Sequence, residues 1–229
     1  MTLRTRQNPV GDRDHVVQFY DREGDLIRAV GAYLGEAVRA RESAIVIATE
    51  AHRLAFQADL IDTGIDVARA VTEGSLLWLD AADTLSMFMR DGQVDPVAFR
   101  ASLGPVVREA QRGERRVRAY GEMVNLLWDA GDVVGAIELE KLWNELGEEL
   151  HFSLWCGYHA RGLAGQEHGD ALHQVCHLHT AVVEHATARF RAGPPMSTGA
   201  HPAPHFPRHG RQRYPAPRGV FSCRLRIHE

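Results

Sequence analysis

The stretch SAIVIAT, residues 43–49, decides how the rest of the chain is read. It is a continuous apolar, β-branched run without polar alternation, the pattern of a strand covered on both faces. On its N-terminal side HVVQFY, residues 15–20, reads as a short β segment. Between the two, Leu26, Ile27, Val30, Tyr33, Leu34, Ala37 and Val38 recur at helical offsets, so one amphipathic helix joins them. On the C-terminal side a helix is expected from about Ala51 to Thr63, ended by Gly64. SLLWLDA, residues 75–81, is the next strand, and ADTLSMFMRDG, residues 82–92, the next short helix. Asp95 as N-cap and Pro96 at the first helical position start another, with Phe99, Leu103, Val106 and Val107 on its apolar face. RVRAY, residues 116–120, and HFSLWCGY, residues 151–158, flank an amphipathic helix over 132–150, and a last helix is expected over about 169–191. Four core strands separated by helices predict a three-layer α/β fold: a mostly parallel sheet with helices on both faces.

Composition sets the outer limits. The 229 residues suffice for one domain with an appendage, and an apolar share of 45% with 24% charged residues is that of a globular protein. A formal net charge of −4 does not suggest a nucleic-acid surface, and the 14 residues before His15 are too few for a helix-turn-helix. The chain has no run of 18 apolar residues, and its first residues lack a signal-peptide core, so a cytoplasmic protein without a membrane partner is expected. Cys156, Cys176 and Cys223 form no CxxC and do not suggest a disulfide scaffold. Residues 1–13 are expected to be a flexible N-terminus, 14–191 the folded domain, and 192–229 a disordered tail rich in Pro, His and Arg.

A phosphate-binding loop would need GxxxxGK[ST] directly after the first buried strand, but EAHRLAF follows there, with neither the glycine nor the lysine. GxGxxG and GxSxG are absent as well. In an open α/β sheet, ligands bind beyond the carboxyl ends of the strands. Those ends carry Thr49, Glu50 and His52, then Asp80, then Gly121, Glu122 and Asn125, then Cys156 and Tyr158. Glu50 and Asp80 read as acids at helix N-termini. Glu122, preceded by a glycine, stands out as a catalytic or ligand-contacting carboxylate. His173, Cys176 and His177, at i, i+3 and i+4, are weak metal-ligand candidates without an identifiable fourth partner, so no metal or cofactor is assigned. Trp128, Trp143 and Trp155 read as core or pocket wall.

Taken together, HVVQFYDREGDLIRAVGAYLGEAVRARESAIVIATEAHRLAF, DAADTLSMFMRDGQVDPVAF, RVRAYGEMVNLLWDAGDVVGAIELEKLWNEL and FSLWCGYHA resemble the MEDS domain, over roughly residues 12–190. The most specific parts are AYGEMVNLLW and LEKLWNEL. The resemblance implies a RecA-like α/β domain, related to circadian-clock-type ATPases, from which the phosphate loop has been lost. It implies a sensor of simple hydrocarbon derivatives rather than an enzyme, one that typically sits beside histidine kinase or DNA-binding modules. His15, Tyr20, His52, Tyr120, Glu122, Leu139, Glu140, Trp143 and Asn144 match the family pattern as pocket or structural signature. The ligand pocket is expected to involve Tyr20, Thr49, His52, Tyr120, Glu122, Asn125 and Trp143. With no output domain evident in the chain, action in trans on a histidine kinase or transcription regulator, or through a homodimer, is expected. Two other readings stand beside this one. One is a protein-docking platform without a ligand, using helices 24–40 and 132–150; the other is a residual nucleotide-handling enzyme with Glu122 as general base.

Overall fold

The computed structural model describes residues 4–5, 10–163 and 169–183. In chain order, β1 (Arg4–Thr5) and β2 (His15–Tyr20) precede α1 (Glu23–Arg39), β3 (Ser43–Ala48), α2 (Glu50–Asp62) and α3 (Val67–Thr72). Then come β4 (Leu76–Asp80), α4 (Ala81–Ser86), β5 (Met89–Arg90), β6 (Gln93–Val94) and α5 (Pro96–Ala110). After β7 (Val117–Gly121) follow α6 (Met123–Asp129), α7 (Val133–Leu150), β8 (Ser153–His159), α8 (Gly169–Leu178) and β9 (Ala181–Val183). Seven strands form one sheet in the order β1-β9-β2-β8-β7-β3-β4, and every pairing in it is parallel.

The apolar run that opened the sequence becomes β3, inside the sheet between β7 and β4 and buried at all six positions. Its side chains alternate between two cores. Ile45 and Ile47 face a core built with Phe99, Leu103, Val107, Met123, Leu127 and Leu139 from α5, α6 and α7. Ala44, Val46 and Ala48 face a second, made with Leu26, Val30 and Leu34 of α1 and Phe56 and Leu60 of α2. Burying each isoleucine contributes about 1.5–3 kcal/mol, which is why no polar residue is tolerated within this strand beyond its first position.

Side chains cap the crossover helices at the carboxyl edge of the sheet. Thr49 Oγ1 caps α2, Asp95 Oδ1 accepts from the backbone N–H of Val97 and Ala98 at 2.8 and 3.0 Å, and Asp132 accepts from Gly135 at 2.8 Å. α7 ends at His151, held in the left-handed conformation at φ 56°.

The sequence reading needs correcting in two places. The helix expected over 82–92 stops at Ser86, and residues 89–94 form a β-hairpin pairing Met89 with Val94 and Arg90 with Gln93. Its two-residue loop, Asp91-Gly92, has φ of 51° and 77°, the doubly positive turn for which Asp-Gly is suited. The last helix stops at Leu178, and Ala181–Val183 leaves it as a strand paired with Val16–Gln18 of β2. The stretch expected to be a flexible N-terminus places Arg4 and Thr5 beside Ala181 and Val182. The expected tail over 192–229, with Cys223, and residues 184–191 of the expected last helix lie outside the described residues. Among the described residues no helix is long and apolar enough to cross a membrane.

Candidate functional site

Three strand ends meet at the Glu122 carboxylate. Glu122 follows β7 and occupies the N-cap position of α6, yet its side chain does not cap that helix. It reaches sideways instead: Oε1 accepts the backbone N–H of Thr49, at the start of α2, and Oε2 meets Nδ1 of His52 in the first turn of α2. The hydroxyl of Tyr120, the residue two earlier on β7, donates to Oε2 at 3.1 Å. The carboxylate therefore serves the positive end of a neighbouring helix rather than its own. It is almost wholly buried, with 4% of its side chain exposed.

The chain of contacts continues outward. His52 Nε2 meets Oε2 of Glu23, the first residue of α1, at 2.5 Å. Glu23 is 55% exposed and His52 13%, so the row Glu122–His52–Glu23 runs from the interior to solvent. Burial alone would lower the His52 pKa, but hydrogen bonds and charge from Glu122 and then Glu23 reverse this and lift it to about 9. At neutral pH the imidazole is thus a charged donor rather than a base. Tyr20, at the end of β2, stands edge-on to His52 and His159 with ring centroids 6.1 and 5.1 Å away. Burial, then the carboxylates of Glu23 and Glu122, push its hydroxyl pKa well up, and burial with Glu122 does the same for Tyr120. Both phenols stay protonated. Gly157 on β8 gives Tyr120 its room, because a Cβ there would lie 2.8 Å from the Tyr120 hydroxyl.

Of the seven residues expected to line a pocket, Tyr20, Thr49, His52, Tyr120 and Glu122 come together here. Asn125 lies beside them, where its Oδ1 accepts the backbone N–H of His159 at 2.8 Å and its Nδ2 donates to Asp129 at 2.9 Å. Trp143 does not join them. It packs edge-on against Phe99 and Phe152 and lines a cleft of ≈ 300 Å³ with Arg13, His15, Asn144 and Thr180, beside the amino ends of β2 and β8. Asp80 caps α4 through Ala82 and Asp83 and pairs with Arg53 at 2.9 Å, and Glu50 is exposed in the first turn of α2; both keep their reading as helix N-terminal acids. Sequence reasoning missed Glu23 as part of the site. Its position three residues beyond the end of a strand was the available signal.

His173, Cys176 and His177 are not assembled as metal ligands. The two histidines pair on the exposed side of α8 with Nε2 atoms 3.1 Å apart, whereas Cys176 is fully buried. The residues able to hold a metal are elsewhere. Among the described residues, His15, Glu140, Cys156 and His179 bring one ligand atom each to within 4.8 Å of one another, and all four are buried.

The fold and these loops define a parallel α/β domain in which a hydrogen-bonded acid–imidazole row stands at the carboxyl ends of the strands. The chain belongs to the MEDS family, the methanogen/methylotroph, DcmR sensory domain, whose pattern matches residues 14–180. No curated protein matches the chain.

Proposed function

We propose that this sensory domain is a non-catalytic, ligand-responsive module of cytoplasmic signal transduction, and that its ligand acts on the group around Glu122. One observation carries the reading: a single buried carboxylate, itself in the loop after β7, joins the loops after β2 and β3, through His52 with Glu23 and through Thr49 respectively. Loops joined through one anion respond together when that anion changes partners. The ligand class is a simple hydrocarbon derivative of one or two carbons bearing one polar group. The polar group competes with Glu23 for His52, since that contact is the most exposed of the row. The hydrocarbon part meets the rings of Tyr20 and Phe56, both of which flank His52.

Binding has an effect only if it favours one arrangement over another. The closed arrangement has Glu23 on His52, and the liganded one has Glu23 released, freeing the N-terminus of α1. A histidine kinase or transcription regulator reads the difference. An imidazole held charged to about pH 9 and a carboxylate engaged by three donors suit recognition better than proton transfer, which favours a sensor over a residual enzyme.

Calorimetry against a panel of one- and two-carbon alcohols, amines, acids and halides tests this, using the full chain and Glu122→Gln. Saturable binding by the full chain, weakened at least about tenfold in Glu122→Gln, is expected for loss of a charge-assisted contact. No binding across the panel, or equal binding by Glu122→Gln, overturns the assignment.

A further inference from the structure

The second polar group lies within the core rather than at the strand ends. Strand alternation puts Cys156 on the same face of the sheet as Val17 and Tyr158, under α7. His15 opens β2 beside Leu154 of β8, and Glu140 and Asn144 share one side of α7 at i, i+4. His179 occupies the bend between α8 and β9. The sequence distance from His15 to His179 spans nearly the whole domain, yet their rings are 4.0 Å apart.

The distances converge on one point. His15 Nε2 is 3.2 Å from Glu140 Oε2 and 3.3 Å from Cys156 Sγ. Cys156 Sγ is 3.4 Å, and His179 Nε2 3.5 Å, from the same Glu140 oxygen. The outward-facing atoms are fixed by other partners. His179 Nδ1 meets the Val175 carbonyl at 2.6 Å, and a carbonyl only accepts, so Nδ1 carries the proton. Asn144 donates its Nδ2 to the Leu178 carbonyl at 2.9 Å, which turns its Oδ1 toward His15 Nδ1 at 2.8 Å, so that nitrogen is protonated too. Tyr158 donates to the other Glu140 oxygen at 2.8 Å. With Nδ1 so occupied, each imidazole turns its Nε2 toward the carboxylate.

Protons alone do not satisfy this arrangement. The Cys156 thiol has one to give. Even with a second placed on His15 Nε2 and donated to Glu140, His179 Nε2 stays buried without a hydrogen-bond partner.

We propose that His15, Glu140, Cys156 and His179 form a closed, four-coordinate site for zinc. Bonds of about 2.0–2.1 Å to nitrogen, 2.0–2.2 Å to oxygen and 2.3 Å to sulfur, at tetrahedral angles, give ligand-to-ligand edges of about 3.3–3.6 Å. Four of the six edges, at 3.2 to 3.5 Å, nearly match them, and the two from His179 to His15 and Cys156 lie within 4.8 Å, so His179 closes on the ion as it binds. Charge matches as well: one carboxylate and one thiolate neutralise a divalent ion, as a buried site requires. The thiol proton leaves to solvent as the metal–sulfur bond forms, so binding releases at least one proton. Asn144, the Val175 carbonyl and Tyr158 hold the ligands from behind, as the outer partners of metal-bound histidines and carboxylates do. With four protein ligands the site is structural. It fastens β2, β8, α7 and the bend before β9 together. His15 also lines the cleft of ≈ 300 Å³, which gives the ion a way in.

The test uses the full chain, stripped with a chelator and titrated with cobalt(II), then zinc(II). Expected are about one zinc per chain in protein prepared without chelator and the intense visible spectrum of four-coordinate cobalt. A near-ultraviolet thiolate-to-cobalt band, displaced by zinc, should accompany that spectrum. Cys156→Ser should lose the band, while Cys176→Ser and Cys223→Ser keep it. Asn144→Ala should bind zinc about 10–100-fold more weakly. A six-coordinate cobalt spectrum without a sulfur band in the wild-type chain overturns the proposal, because it assigns the metal to surface histidines. A band that survives Cys156→Ser overturns it equally. Should Cys156→Ser fail to fold, the wild-type spectrum and Asn144→Ala decide.

Discussion

Two buried glutamates, 18 residues apart in the chain, have been put to opposite uses. Glu122 sits at the rim of the sheet, and its row of partners ends in an exposed carboxylate. Glu140 sits inside α7 with no exposed side-chain surface, and its partners are themselves buried. Each faces histidine, but His52 is held charged to about pH 9 whereas His179 is held neutral down to about pH 4. The difference lies in what surrounds the imidazole. His52 has a carboxylate on each ring nitrogen, while His179 has a carbonyl behind it and a second imidazole beside it. One group is arranged to exchange partners with solvent, the other to keep them.

The largest expected effect sets the two carboxylates directly against each other. Glu140→Ala strips a buried network of its anion and should cost about 3–5 kcal/mol, the range for breaking a buried charged pair. Glu122→Ala leaves donors that water can reach through the rim, and should cost about 1–3 kcal/mol. Urea unfolding of both variants measures this, and equal losses would erase the distinction between rim and core.

A subtler effect sharpens the contrast through pH. The His52 pKa is raised above its unfolded value of 6.5, so protonated His52 stabilises the fold fully below that pH. The contribution is then lost as pH rises through about 9. Stability measured across that window should fall with pH in the wild type and flatten in Glu122→Gln, and the His52 ring resonances should titrate lower in the variant. A wild-type midpoint near 6.5 would break the proposed pairing. The smallest effect belongs to Glu23→Gln. It should lower the His52 midpoint by less than Glu122→Gln does and cost under about 1 kcal/mol, since the contact is half in solvent.

Long elements were legible because they repeat a pattern. β3 declares itself by unbroken β-branched residues, and α1, α5 and α7 by apolar faces several turns long. The hairpin at residues 89–94 and β9 are too short to show a period, although Asp91-Gly92 did carry a turn signal that the apolar residues before it obscured. Much of the rim group was readable, since Glu122, Tyr120, Thr49 and His52 all lie within four residues of a strand's carboxyl end. Trp143 was misplaced because a helical position does not reveal which end of the sheet it overlies. The core group leaves almost no local trace: its four residues come from β2, α7, β8 and a bend, with no ligand spacing to read. His15, Glu140 and Asn144 were marked by the family pattern, but His179 was not.

The sideways reach of Glu122 carries a mechanical consequence. Its backbone begins α6, which packs on one side of the sheet, while its oxygens grip α2 directly and α1 by way of His52 on the other. The side chain is thus a clasp across the sheet's rim, joining the two layers directly. Moving it tilts the first turns of helices on both sides at once, so the same event is legible from either face of the molecule.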